Sequence, residues 1–196
     1  GITPLPFDHH DHEDHGASEG EAVDPHAWQN VSHARLYAKN IATALINKDP
    51  DHRALYLENL VRYDSDLERL DRDIRNAIAK IPPEKRKIVT SHDAFGYFEK
   101  AYGLKMIAPL GVGRESQPSA KDMARIIRQI RDEAIPAIFL ETAIDPRLAE
   151  QLAAETGVKI GGTLYADTLS QKNGPAGTYI AMMETNIRTL TAALAP

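Results

Sequence analysis

Lys87-Ile88-Val89-Thr90-Ser91-His92-Asp93-Ala94-Phe95-Gly96-Tyr97-Phe98 marks a change of pattern in this chain. The short apolar run Ile88-Val89-Thr90 gives way to aromatic residues at helical steps, Phe95, Phe98 and Tyr102, which stop at Gly103. A brief β-branched run followed by a face with a period near 3.6 predicts a strand and then a helix. The unit then repeats. Lys105-Met106-Ile107-Ala108 reads as a second strand, followed by a glycine-rich turn at Gly111 to Gly113. The helix after it has Ser119 as its cap, Asp122 three residues on, and an apolar face of Met123, Ile126, Ile127 and Ile130. Ala137-Ile138-Phe139-Leu140 is the third strand, and Asp145-Pro146, a cap with a first-turn proline, opens a helix through Leu148 and Leu152 to Gly157. Val158-Lys159-Ile160 is the fourth strand, and after a polar loop a last helix carries Ile180, Met183, Ile187, Leu190 and Leu194. Strands separated by helices require right-handed parallel crossovers, so the predicted fold is α/β, a single lobe with a four-stranded parallel sheet flanked by helices.

Upstream of Lys87 the chain is helical. Leu36, Tyr37, Ile41, Ala44 and Leu45 lie along one helix that Asp49-Pro50 stops. Leu60, Tyr63, Leu67, Leu70, Ile74, Ala77 and Ile81 then recur every three or four residues, with charged residues between them, up to Pro82-Pro83. This predicts a linker helix from about 51 to 81, roughly 45 Å long at the helical rise, more than one small lobe needs to cover itself. The segment before these helices, Asp8-His9-His10-Asp11-His12-Glu13-Asp14-His15-Gly16, has no apolar residue to bury and reads as a disordered, mobile loop. The predicted organisation is therefore a His/Asp/Glu-rich loop over 1–23, a helical segment over 24–82 and a (β/α) lobe over 83–196.

Composition excludes several classes of function. With 196 residues and 42% hydrophobic content the chain can bury an ordinary core, so neither a disordered tail nor a fibre is expected. The longest apolar run, Ala134 to Leu140, contains Pro136 and falls far short of the roughly 20 residues of a membrane span. The formal charge of −5 is uneven, because residues 1–34 hold seven acids and no Lys or Arg, leaving 23 bases against 21 acids elsewhere. That near balance is not the footprint of a nucleic-acid binder. With no cysteine, any metal must be held by nitrogen and oxygen donors. The start of the sequence shows no charged segment followed by an apolar one, so a secretion signal either was removed or never existed.

In α/β sheets ligands gather beyond the C-terminal ends of the strands. His92 follows the first strand, Glu141 ends the third and Asp167 lies after the fourth, so three donors converge on one rim. His26, in Asp24-Pro25-His26-Ala27-Trp28, and His92 both lie off any periodic apolar face. Two imidazoles and a carboxylate are a partial tetrahedral set for zinc, with Asp167 as the chosen acid. The gaps between them are long, so spacing alone is a weak signal. Glu141 could be a ligand, a carboxylate orienting a ligand imidazole, or a loop anchor; orientation is the preferred reading. His33 and His52 read as surface histidines, and Phe95, Phe98 and Tyr102 as core.

Asp24-Pro25-His26-Ala27-Trp28, Val89 to Phe98, Ile138-Phe139-Leu140-Glu141 and Leu164-Tyr165-Ala166-Asp167-Thr168-Leu169-Ser170 together resemble the zinc- and manganese-binding solute-binding proteins of bacterial ABC importers. The resemblance runs in order from about Glu21 to the C-terminus. It implies two (β/α) lobes joined by one long helix, with His26, His92 and Asp167 matching three metal ligands. It also implies a periplasmic protein that hands its ion to an ABC permease in the inner membrane and catalyses nothing. The His-rich loop resembles zinc-type members, with His9, His10, His12 and His15 as accessory weak sites. His92 stands where manganese-type members tend to have Glu, and imidazole favours zinc over manganese. Zn2+ is thus the expected ion and Mn2+ the second choice.

One departure from that pattern is large. Family members carry an N-terminal lobe ahead of the His-rich loop, with a further His ligand, and this sequence starts almost at the loop. The expectation is a C-terminal-lobe fragment of the zinc type, with three protein ligands and an exposed face through which a homodimer could form. A smaller departure is Gln29-Asn30-Val31, where relatives often have Asp-Pro, which puts the start of the first helix in question. The alternatives are a manganese-binding member, a metal-dependent adhesin of the same family, and, from another class, a zinc metallohydrolase with Glu141 or Asp93 as base.

Overall fold

The strands β1 (Lys87–Val89), β2 (Lys105–Ile107), β3 (Ile138–Glu141) and β4 (Ile160–Leu164) form one parallel sheet in the order β2-β1-β3-β4. This is a computed structural model that describes residues 1–6, 23–110 and 118–195. The chain builds β2 on one side of β1 and then crosses to place β3 on the other. The C-terminal ends of β1 and β3 therefore flank a topological switch point, where neighbouring connections diverge and leave a crevice. The expected α/β lobe, a four-stranded parallel sheet flanked by helices, is what the chain forms.

Helices cover both faces of the sheet, and alternation along each strand decides which residue meets which face. Ile88, Met106, Phe139 and Leu164 join one cluster with α2 (Arg53–Ala79), α3 (Gly96–Tyr102) and α6 (Tyr179–Leu194). Val89 and Ile138, their neighbours in sequence, join the other with α4 (Ala120–Asp132) and α5 (Arg147–Thr156). Ser119 caps α4 in a reciprocal capping box with Asp122, as the sequence predicts. Gly103, at φ 77°, supplies the left-handed residue that ends α3.

α1 (Val31–Lys48) folds back on α2, and Arg35 holds Asp64 across them with two bonds of 2.7 and 2.8 Å. Asn30 caps α1 through Ser32 N, so the Gln29-Asn30-Val31 variation still starts a helix. Tyr102 ties three helices together, donating to Asp71 of α2 and accepting from Val31 N of α1. Burial raises its phenol well above the ordinary value, which keeps it a donor.

The structure departs from expectation at several places. The long helix runs over Arg53–Ala79 behind a 3-10 turn at Pro50–His52, slightly inside the predicted span. β4 lies at Ile160–Leu164 instead of Val158–Ile160. Its Gly161-Gly162 pair has no strand signature, yet a Cβ on Gly161 would stand 2.6 Å from Phe139 Cζ, so the strand needs glycine to approach its neighbour. Pro146 precedes α5 instead of lying in its first turn, and Asp145 Oδ1 accepts from Arg147 N. His33 is half-buried, its ring edge-on to Tyr97 at 5.2 Å. The His-rich loop with His9, His10, His12 and His15, and the turn at Gly111 to Gly113, lie outside the described residues.

Candidate metal centre

His92 follows β1, where a parallel bridge to Leu110 holds its backbone and Thr90 N bonds to Ile107 O. The side chain is fully buried. Glu141, the last residue of β3, reaches across the switch point, and its Oε1 accepts from Ser91 N at 2.8 Å and His92 N at 2.9 Å. Its Oε2 stands 2.6 Å from His92 Nδ1, off the line of an ideal hydrogen bond. The carboxylate thus fixes both the backbone and the ring of His92.

His26 precedes a single 3-10 turn, Ala27–Gln29, and is held by Asp24 in the same way. Asp24 Oδ1 accepts from His26 N and lies 2.8 Å from His26 Nδ1. Asp24 is itself buried, and a Cβ on Gly96 would come within 2.9 Å of its other oxygen, so glycine at the start of α3 makes room for it. Tyr97 OH donates to Asp24 O and accepts from Leu5 N, which secures the segment from behind.

The loop after β4 brings in the third residue. Asp167 Oδ1 lies 3.3 Å from His26 Nε2, and Asp167 Oδ2 lies 3.3 Å from His92 Nε2. The two imidazole rings meet edge to face at 5.5 Å. One donor atom from each of His26, His92 and Asp167 falls within 4.8 Å of the others.

A carboxylate beside Nδ1 favours the tautomer that carries its proton there and leaves the Nε2 lone pair facing inward. Two such lone pairs and a carboxylate then converge, and a cation is what such acceptors can share. His92 Nε2, fully buried, has no hydrogen-bond partner among the described residues. Zinc bonds of about 2.0–2.1 Å set tetrahedral edges of about 3.3–3.4 Å, and both Nε2-to-carboxylate distances match that edge. The donor set therefore fits a divalent transition metal. Because each oxygen of Asp167 faces a different imidazole, three residues can offer four donors.

The sequence-predicted residues His26, His92 and Asp167 come together here, and Glu141 touches His92. His52 is exposed at the turn between α1 and α2, 2.9 Å from Asp49 Oδ2, away from this group. Asp24 had no role in the sequence reading, although a carboxylate two residues before a candidate ligand can close on both its N–H and its ring. Trp28 and Gln29, which the sequence marks only as parts of the turn before α1, also bear on the site: both side chains donate to Ala166 O, at 3.1 and 3.0 Å, beside Asp167.

Residues 1–193 match a family profile described as ZnuA, zinc-uptake complex component A, periplasmic. The chain is 37% identical over 190 residues to the "Iron-binding protein YfeA" of Yersinia pestis, covering 97% of this chain and 59% of that protein. It is 31% identical over 179 residues to the "Manganese ABC transporter substrate-binding lipoprotein PsaA" of Streptococcus anginosus, covering 91% of this chain and 58% of that protein. Among solved structures, the periplasmic zinc binding protein TroA from Treponema pallidum superposes with a TM-score of 0.86 at 34% identity, over 91% of this chain and 67% of that one. The chain thus spans 59% of YfeA and 58% of PsaA, less than two thirds of either relative.

Proposed function

Because the chain belongs to the family of the periplasmic zinc-uptake component ZnuA, whose members are metal-binding substrate-binding proteins of ABC transporters and not enzymes, we propose that it captures one zinc ion in the periplasm and delivers it to an ABC permease in the inner membrane. The observation that carries this reading is the convergence of His26 Nε2, His92 Nε2 and the Asp167 carboxylate, with the buried His92 nitrogen lacking a hydrogen-bond partner among the described residues. In it, these three residues ligate the ion, while Asp24 and Glu141 orient the two imidazoles. Asp167 is the most exposed of the three, at 20% of its side chain, so the ion enters and leaves past it. The acidic His-rich segment with His9, His10, His12 and His15 supplies accessory sites that bind zinc weakly and exchange it quickly.

Zinc is chosen over manganese by ligand type, since two neutral imidazoles suit a borderline-soft ion better than a hard one. The relatives' names favour a second reading, with manganese or iron as the cargo. In the hydrolase alternative Glu141 makes a poor base, because it is buried, its Oε1 accepts from Ser91 N and His92 N, and its Oε2 lies against His92 Nδ1.

A competition titration of the metal-free chain with zinc and with manganese, against a chromophoric chelator, tests this. The expected result is one-to-one binding with zinc held more tightly, and a loss of more than about 100-fold in His92→Ala, a larger effect than outer partners produce. Equal binding by His92→Ala would overturn the site, and tighter manganese binding would overturn the choice of ion.

A further inference from the structure

Gln29 closes the 3-10 turn that begins right after His26, and its side chain is fully buried. Its Nε2 donates to Ala166 O at 3.0 Å, and Trp28 Nε1 donates to the same oxygen at 3.1 Å. Two donors from the His26 segment therefore take both lone pairs of the carbonyl immediately before Asp167. The rest of the Asp167 loop is tied elsewhere. Tyr165 N and O are both bonded to the carboxamide of Asn186 on α6, at 2.9 and 2.7 Å, and Thr168 Oγ1 meets Thr142 Oγ1 beyond β3 at 3.1 Å. Those bonds fix the loop to the sheet and to α6. The bonds to Ala166 fix it to His26.

The other end of the Gln29 carboxamide is informative. Gln29 Oε1 is buried and has no hydrogen-bond partner among the described residues. An unpaired buried acceptor weakens a fold, and an unbranched apolar side chain of the same length would fill the space without that cost. The contact that distinguishes glutamine from such an apolar side chain at this position is the bond its donor makes to Ala166 O.

We propose that Gln29 is a positioning residue for the metal centre: through the Ala166 carbonyl it holds Asp167 in register with His26 and so sets the affinity for the ion. This rests on the reading of His26, His92 and Asp167 as ligands.

The test uses the whole chain carrying Gln29→Met, which removes donor and orphaned acceptor together while keeping the shape. The metal-free variant should melt at or above the wild-type temperature, yet bind zinc about tenfold more weakly, the lower end of what outer partners of a ligand contribute. The amides of Asp167 and Thr168 should exchange hydrogen faster. In an Asp167→Ala background the same substitution should change zinc binding less than twofold, because Gln29 acts through Asp167. A residue with a purely structural role would lower the melting temperature and keep its effect in that background. Wild-type zinc affinity in Gln29→Met, with His92→Ala defective, overturns the positioning role and spares the proposed function. Wild-type affinity in His92→Ala instead overturns the proposed function, and the amide exchange then decides the rest: unchanged rates overturn the hold of Gln29 on the Asp167 loop, faster ones keep it. Should Gln29→Met fail to fold, Gln29→Leu also removes the donor to Ala166 O together with the amide oxygen and is read in the same way.

Discussion

At His92 two carboxylates act on one imidazole from opposite sides, Glu141 at Nδ1 and Asp167 facing Nε2. Only the second can share an ion with the ring; the first settles which nitrogen keeps the proton. Glu141→Gln separates these roles. The amide oxygen can keep the bonds to Ser91 N and His92 N, but the amide NH2 would then face Nδ1 and drive the ring proton onto Nε2, blocking the inward lone pair. Zinc affinity should fall about 10- to 100-fold with a nearly unchanged melting curve, measured by chelator competition and circular dichroism. Wild-type affinity in Glu141→Gln would show that the carboxylate does not set the tautomer. How far these residues were legible follows from the same physics. His26, His92 and Asp167 stood out because polar donors off any apolar face need a reason, and because the motifs around them resemble a known family. Gln29 and Asn186 did not, since a carboxamide that bonds only to backbone leaves no mark on sequence spacing.

Elements differ in how plainly the sequence announces them. The helices are marked by caps and periodicity: Ser119 with Asp122 opens α4, and Gly103 and Gly157 end α3 and α5 with φ of 77° and 74°. β4 is not so marked. Its glycines carry no apolar alternation, and only the assembled sheet shows that Gly161 lies against the buried ring of Phe139, with Ala193 of α6 on the same side. Gly161→Ala should therefore overpack a layer that has no room. A cost of about 1–3 kcal/mol is expected for an extra methyl in a filled core, and a fall in melting temperature of several degrees would report it. An unchanged melting temperature would mean that Phe139 or α6 yields freely and that close approach is not what places glycine there.

Across the whole molecule, strand order is what assembles the centre. Because β3 crosses to the far side of β1, the residues past β1 and at the end of β3 face each other over a crevice, and the loop after β4 completes the rim. Strand ends alone predict the rim for His92, Glu141 and Asp167; for His26, in the turn before α1, only the family resemblance groups it with them. The long helix was legible as amphipathic, yet its use is uneven. Leu67, Leu70, Ile74 and Ile78 are buried in the core beside α6, whereas Leu55 and Val61 are exposed. Periodicity identifies the apolar face of a helix without saying how much of its length is covered. In the proposed function, three residues brought together by this topology hold one ion. An anomalous difference map from zinc-loaded crystals, collected above the zinc edge, tests it most directly. One strong peak is expected among His26 Nε2, His92 Nε2 and the Asp167 carboxylate, about 2.0–2.2 Å from each. A map with no peak there, or with its strong peak on other residues, would contradict it.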